Sequence, residues 1–248
     1  MSVFVRRRAV KAGRPRDRLT ADALRVQAGR EADRGFVLNA KESLVTALSA
    51  QGVGGSSPDP IRIVLGEGEW TIPLAGIVIQ RSDIHFIGSP RGGTRFVRTK
   101  ATTRNMLLCT GARITLENIW FDDQLGGDSC LELRGDDSAV KNCWFESCFR
   151  AIEFNGGDRA TIDGNEIKSH TDTNYGIFLT GTSDRNRVTN NRIHTGAGAA
   201  NFIYAGDSVT DSLFIGNIWR TAGRSISYKG SSGNIGSATN NIGTVLAR

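Results

Sequence analysis

Apolar residues come in short bursts along this chain, separated by clusters of Gly, Asp, Asn, Ser and Thr, and from residue 114 onward the bursts recur in pairs. One member of each pair reads "ITLENIWF", "VKNCWFESC", "ATIDGNEI", "RVTNNRI", "SLFIGNIW" and finally "TNNI". Its asparagines are Asn118, Asn142, Asn165, Asn191, Asn217 and Asn241, spaced 24, 23, 26, 26 and 24 residues apart. The other member reads "CLEL", "AIEF", "GIFL", "NFIY" and "SISY", centred on Leu131, Ile152, Ile177, Ile203 and Ile226, with steps of 21, 25, 26 and 23. Two short apolar runs per period with turn residues between them predict strands joined by turns, not helices.

A repeat of this length predicts a solenoid. Leucine-rich repeats need a denser leucine pattern, and propeller blades need roughly 40 residues with four strands each. The alternative of unrelated turns in a β-sandwich does not account for the regular beat. A parallel β-helix does, because each coil stacks about 4.8 Å from the last and equivalent residues fall into columns. On that reading the recurrent asparagines form one inward file whose amides satisfy backbone groups left open at a corner. The residue two places on, Trp120, Trp144, Ile167, Ile193 and Trp219, forms a core column, and the next, Phe121, Phe145, Lys168, His194 and Arg220, an outer strip.

These motifs, with "NAKESLVTALSAQG" and "IRIVLGEGEWTI" upstream, resemble the right-handed parallel β-helix of the pectate-lyase-like group, shared by pectin-degrading enzymes and many phage tailspikes. The resemblance covers about residues 39 to 248 and implies an all-β, single-stranded right-handed solenoid of about six or seven coils. It divides the chain into a basic, partly helical arm over 1–38, a capping helix over 39–52 and the β-helix over 53–248. Within the cap, Asn39 and Glu42 form a capping box, and Leu44, Val45, Ala47 and Leu48 share one face. The fold hosts lyases, hydrolases and inert stalks alike, so it does not settle activity.

Charge adds one asymmetry. Residues 1–34 hold ten Lys or Arg against four Asp or Glu, whereas the remainder holds 21 of each, so the net charge of +6 lies in the arm. Arg6, Arg7, Arg8, Lys11, Arg14, Arg16 and Arg18 are the candidate anchoring residues. The arm reads as a solvated tail or as a segment that orders against another protein; with Phe4 as its one early aromatic it lacks a base-stacking surface, so nucleic acid is not the expected partner. No run of eighteen apolar residues predicts a membrane span, and the apolar stretch before Arg6 is too short for a secretory signal.

Candidate chemistry is sparse. Glycoside hydrolysis needs two carboxylates flanking one bond, and Asp122, Asp123 and Glu146 follow successive asparagines at matching places, so they are the candidate catalytic acids. Asp136, Asp137, Asp158 and Asp163 sit in turns, where acids ordinarily serve local hydrogen bonds. Phe121, Phe145, Lys168, His194 and Arg220 are the candidate sugar-binding or interface strip. Cys109, Cys130, Cys143 and Cys148 match no zinc spacing and read as reduced, small buried side chains. No cofactor or metal is expected.

Three functions fit these features: a structural or receptor-binding spike or fibre of a phage or phage-like particle, a lyase or hydrolase acting on capsule or lipopolysaccharide, and a general carbohydrate-binding module. The first leads. It implies a virion location after assembly in the host cytoplasm, virion partners for residues 1–38, a homo-oligomer that the tailspike resemblance makes a trimer, and contact with bacterial surface polysaccharide.

Overall fold

The structure, a computed structural model, describes residues 24–27, 34–38, 44–45, 60–100, 103–123, 128–169, 175–195, 201–206, 208–219, 225–228, 237–239 and 244–247. Three long sheets run along the molecule, with ten, seven and eight strands among the described residues. The chain visits them in rotation. Ile114–Glu117 lies in the first sheet, Trp120–Asp123 in the second and Ser129–Leu133 in the third, and the next coil repeats the circuit with Ala139–Lys141, Trp144–Glu146 and Arg150–Asn155. Nearly all pairing is parallel and joins one coil to the next, as the sequence period predicts.

Each sheet contributes one apolar column to a continuous core. Phe86, Leu116, Val140 and Ile162 stack in the first, Phe96, Phe121, Phe145 and Ile167 in the second, and Leu107, Leu131, Ile152 and Ile177 in the third, all buried. Short β-rich runs with period-two alternation can do this because every second side chain points inward. Phe121 and Phe145 lie face to face, ring centroids 4.8 Å apart and nearly parallel, with Phe96 edge-on at 5.4 Å. Burying each such ring stabilises the stack by roughly 1.5–3 kcal/mol.

The corner between the first and second sheets corrects the single file of asparagines. Two adjacent columns occur there. Asn118, Asn142 and Asn190 have positive φ (58°, 51° and 55°), and Gly164 and Gly216 take the same place in their coils (67° and 66°). Asparagine and glycine are the residues that enter this left-handed region most readily. Asn165, Asn191 and Asn217 are one residue further on and point inward, where Ile119 and Cys143 stand in the earlier coils. Counting every asparagine as one rung therefore introduces a one-residue slip between Asn142 and Asn165. In a strand such a slip exchanges inside for outside, which is why the predicted core and outer strips change places at Trp120, Phe121, Trp144 and Phe145. Asn241 lies outside the described residues.

At the corner between the third and first sheets stands a second left-handed column: Asp83, Arg113, Asp137, Arg159, Arg185 and Asp211. It carries charges of both signs. Arg113 donates to Asp83 at 2.5 and 2.7 Å, and Arg159 to Asp137 at 2.7 and 2.9 Å. These hydrogen bonds hold both carboxyls below the usual carboxylate range. A depressed native pKa contributes stability that is present above the unfolded value, near 3.9, and is lost as pH falls through the native one. The melting temperature is therefore expected to stay level from neutral pH to about 5 and to fall below about 4. The Arg113→Gln, Arg159→Gln double variant should show a shallower acid limb in the same thermal scans; an unchanged limb would assign the acid sensitivity to other carboxylates.

Two other expectations change. Leu24–Gln27 and Arg34–Leu38 are strands, paired antiparallel, and the second joins Ile61–Leu65 in parallel. The arm was expected to be partly helical, and pairing with the end of a sheet outweighs a weak local preference at these residues. The first sheet thus begins inside the segment assigned to the arm. Residues 44–45 are helical, with Leu44 buried and Val45 exposed; the rest of the expected cap lies outside the described residues, as do Arg6 through Arg18. At the other end Ser237–Thr239 and Thr244–Ala247 extend the first and third sheets.

The cysteines also differ from a fully reduced set. Cys130 and Cys148 form a disulfide across 18 residues, a closure worth on the order of 3 kcal/mol in the chain-entropy account. Cys109 and Cys143 are buried free thiols, as expected. Burial raises both, Cys143 to about 12, which leaves them unreactive at neutral pH.

Candidate functional site: the outer face of the second sheet

With Phe96, Phe121 and Phe145 facing inward, period two turns their neighbours outward. One outer column runs Glu69, Arg95, Trp120, Trp144, Glu166 and Arg192. The next runs Asp122, Glu146, Lys168 and His194. Between them lies a groove of about 320 Å³ lined by Gly92, Trp120, Trp144, Phe145, Glu146, Glu166 and Lys168. Two half-exposed indoles therefore sit one coil apart, with carboxylates and cations beside them.

Gly92 fixes how closely the neighbouring loop approaches. Its φ is +77°, and a Cβ there would come within 3.0 Å of the Trp120 ring. The Arg95 guanidinium lies 4.8 Å from the centre of the same ring, donates to Glu69 at 2.8 Å and also pairs with Asp122. A cation over an indole face is held by the ring quadrupole. Trp120 is thus packed between a glycine turn and an arginine. Lys168 lies 3.7 Å from Glu166 further along the groove.

Sequence reasoning brings several of these residues together and misplaces others. Asp122 and Glu146, expected together, share a face, and Lys168 and His194, expected in a separate strip with Phe121 and Phe145, continue the same column instead. Phe121 and Phe145 do not: their exposures are 0% and 1%, and they form the core behind the groove. Trp120 and Trp144, expected inside, are the half-buried aromatics of the outer face. Asp123 is the residue in register with Arg98 and is bound to it by Nε at 2.8 Å and by a second guanidinium nitrogen, with neither side chain reaching solvent. An acid so enclosed cannot approach a glycan, and Asp122, on the outer face but buried and paired with Arg95, is scarcely more open, which leaves Glu146 as the accessible one of the three candidate acids. Arg220 lies outside the described residues. His85, on the first sheet, is engaged with Glu117 at 3.0 Å.

A second polar cluster escaped the sequence reading. On the outer face of the third sheet Glu132 and Glu153 are in register on consecutive coils and nearly buried. Glu132 accepts from Asn105, from Arg134 at 2.6 Å and from Asn155 at 3.3 Å; Glu153 accepts from Ser129 at 2.5 Å and Arg150 at 3.0 Å. Tyr175, Phe178 and Tyr204 stack beyond them, with Arg150 4.8 Å from the Phe178 ring. A glutamate at the centre of both "CLEL" and "AIEF" was the available signal. Because these carboxylates already have partners, the cluster reads as a tie between coils. Asn186 was missed too; its Oδ1 accepts the Ala160 N–H at 3.0 Å, as a small second ladder at the charged corner.

Residues 96–242, more than half of the chain, match the family described as the right handed beta helix region. The chain belongs to the right-handed β-helix family. No curated protein matches it. In this right-handed β-helix the matched segment includes Trp120, Trp144, Glu146, Glu166 and Lys168, while Gly92 and Arg95 precede it. Among the described residues no helix is long and apolar enough to cross a membrane.

Proposed function

We propose that this right-handed β-helix is a glycan-recognising spike or fibre component of a phage or phage-like particle, anchored through residues 1–38 and reading a bacterial surface polysaccharide along the outer face of its second sheet. The observation that carries the glycan reading is the pair Trp120 and Trp144, in register on consecutive coils and half-exposed in a groove that also holds Glu146, Glu166 and Lys168. Aromatic faces pack on the apolar faces of sugar rings, while charged side chains take their hydroxyl and acidic groups. The basic segment of residues 1–34 supports an anchoring role, and the tailspike resemblance supports assembly as a homotrimer. The Cys130–Cys148 disulfide is compatible with service on a particle surface, where such bonds persist.

A second reading keeps the same groove and adds chemistry. Glu146 and Glu166 line it from consecutive coils, so a hydrolase or lyase acting on capsule or lipopolysaccharide would draw on them. One assay addresses both. Purified full-length chain is passed over immobilised capsule and lipopolysaccharide, and eluates are analysed for reducing ends and unsaturated sugars. Retention of the wild type and at least a tenfold weaker affinity for Trp144→Ala, equivalent to about 1.4 kcal/mol, are expected. Product release that Glu146→Gln abolishes would establish the enzymatic reading. Failure of the wild type to bind any preparation would overturn recognition of surface polysaccharide.

A further inference from the structure

The second sheet repeats one small assembly incompletely. Around Trp120 a cation, an indole and a carboxylate interlock: the Arg95 guanidinium lies 4.8 Å from the indole centre and also pairs with Asp122. One coil on, Trp144 takes the place of Trp120 and Glu146 that of Asp122, in register. The cation has no counterpart, because the residue before Trp144 in its column is Trp120 where the residue before Trp120 is Arg95. Lys168, next after Glu146, pairs with Glu166 at 3.7 Å instead. Arg192 lies beyond Glu166 in the other column and does not line the groove. Among the described residues no cation or second ring packs on Trp144, and the Glu146 carboxylate has no hydrogen-bond or ion-pair partner.

The connections leave this second position open. Residues 88–93 join Ile84–Ile87 to Thr94–Arg98 and bring Gly92 against Trp120, whereas Asn142 and Cys143 alone join Ala139–Lys141 to Trp144–Glu146. Trp144, Glu146, Glu166 and Lys168 all line the one groove, and each is at least partly exposed. Two lining carboxylates face one lining ammonium there, so the wall carries one uncompensated negative charge, at Glu146. An indole beside a carboxylate attracts an organic cation both through the ring quadrupole and through the charge. A hard metal ion asks for more oxygen ligands, and no group of three or more His, Cys, Asp or Glu side chains suited to a metal occurs among the described residues. We propose that Trp144 and Glu146 form a subsite for a protonated amine, so that the glycan read in this groove carries free amino sugars whose ammonium group does at Trp144 what Arg95 does at Trp120. This rests on the glycan reading above and specifies its substrate class.

Tryptophan fluorescence of the full chain tests the assignment, with titration at about pH 6, where an ordinary amine is protonated. The probes are the methyl glycosides of glucose, of its 2-amino and 6-amino derivatives and of their N-acetyl forms, which differ in one substituent. At least one amine is expected to bind about fivefold more tightly than glucose and than its own N-acetyl form, the scale of a cation–π contact and a partly exposed ion pair together. The margin should shrink at about 0.5 M salt, where charges are screened. Glu146→Gln and Trp144→Leu should each reduce it to less than about twofold, with unchanged circular dichroism showing that the fold is retained. Equal binding of amine and neutral forms by the wild type, or a margin that survives Glu146→Gln, would overturn the subsite and leave glycan recognition standing. If no glycoside changes the signal although the wild type is retained on immobilised polysaccharide, the subsite again falls alone. Absence of both responses would remove the glycan reading with it.

Discussion

Replacing Asn191 with alanine is expected to lower the stability of the β-helix by about 3–5 kcal/mol, from the cost of leaving several buried groups unpaired at once. The Asn191 side chain is fully enclosed. Its Oδ1 accepts from the backbone N–H and from Nδ2 of Asn165, at 3.0 and 2.9 Å. Its Nδ2 donates to the Ile162 carbonyl at 2.9 Å and to Asn217 Oδ1 at 3.0 Å. Alanine deletes these contacts and leaves the Asn165 N–H and the Ile162 carbonyl facing an apolar interior. Because each coil contacts only its neighbours, the damage is local to one junction. Hydrogen exchange should therefore show protection falling first around residues 187–195, before Ile114–Glu117 and Ala139–Lys141 respond. The double variant with Asn165→Ala should cost less than the sum of the single changes, since each residue is the other's partner. Urea unfolding measures all three, and a loss below 1 kcal/mol for Asn191→Ala would show that the amides fill the corner without bearing the stack.

The period was legible because a solenoid translates three-dimensional stacking directly into sequence spacing. Paired apolar bursts near residues 116, 140, 162 and 188 could fall into one sheet only if each coil consumed a similar length of chain, and they do. Register within a coil was less legible. Asn142 and Asn165 look alike in sequence, yet one is a left-handed corner residue and the other an inward rung, and nothing local separates "KNCW" from "DGNEI" until Gly164 is matched to Asn142. That match is what places Phe145 beneath Ile167 and turns Trp144 outward. The candidate site inherited this error: Asp122 was matched with Glu146 and Lys168 with His194, but the slip kept the two pairs in separate columns and drew the aromatic members from the wrong face. Segments whose partners are far away in sequence were harder still. The glutamates of "CLEL" and "AIEF" look like misplaced charges until Asn105, Arg134 and Arg150 are brought beside them.

The same reasoning gives a large effect for Arg98→Met, expected to destabilise the protein by about 3–5 kcal/mol, because removing one partner of an enclosed ion pair strands the other. Arg98 and Asp123 are in register on the strands Thr94–Arg98 and Trp120–Asp123, with exposures of 0% and 1%. Asp123 receives two guanidinium nitrogens, and a third donates to the Arg104 carbonyl at 2.6 Å. Methionine occupies a similar volume but leaves a carboxylate without charge compensation. Adding Asp123→Leu should recover most of the loss, since a well-packed apolar pair can replace a buried ion pair at little cost; the carbonyl of Arg104 remains as a smaller deficit of about 1 kcal/mol. Recovery would show that the pair fixes position more than it supplies net energy, and no recovery would show that the hydrogen bonds themselves hold the end of the sheet. The position concerns function as well, because Asp123 directly follows Asp122. If the enclosed pair sets the direction of that strand end, the rescued double variant should fold normally yet be retained less well than the wild type on immobilised polysaccharide. Equal affinity would show that Arg95 alone orients Asp122.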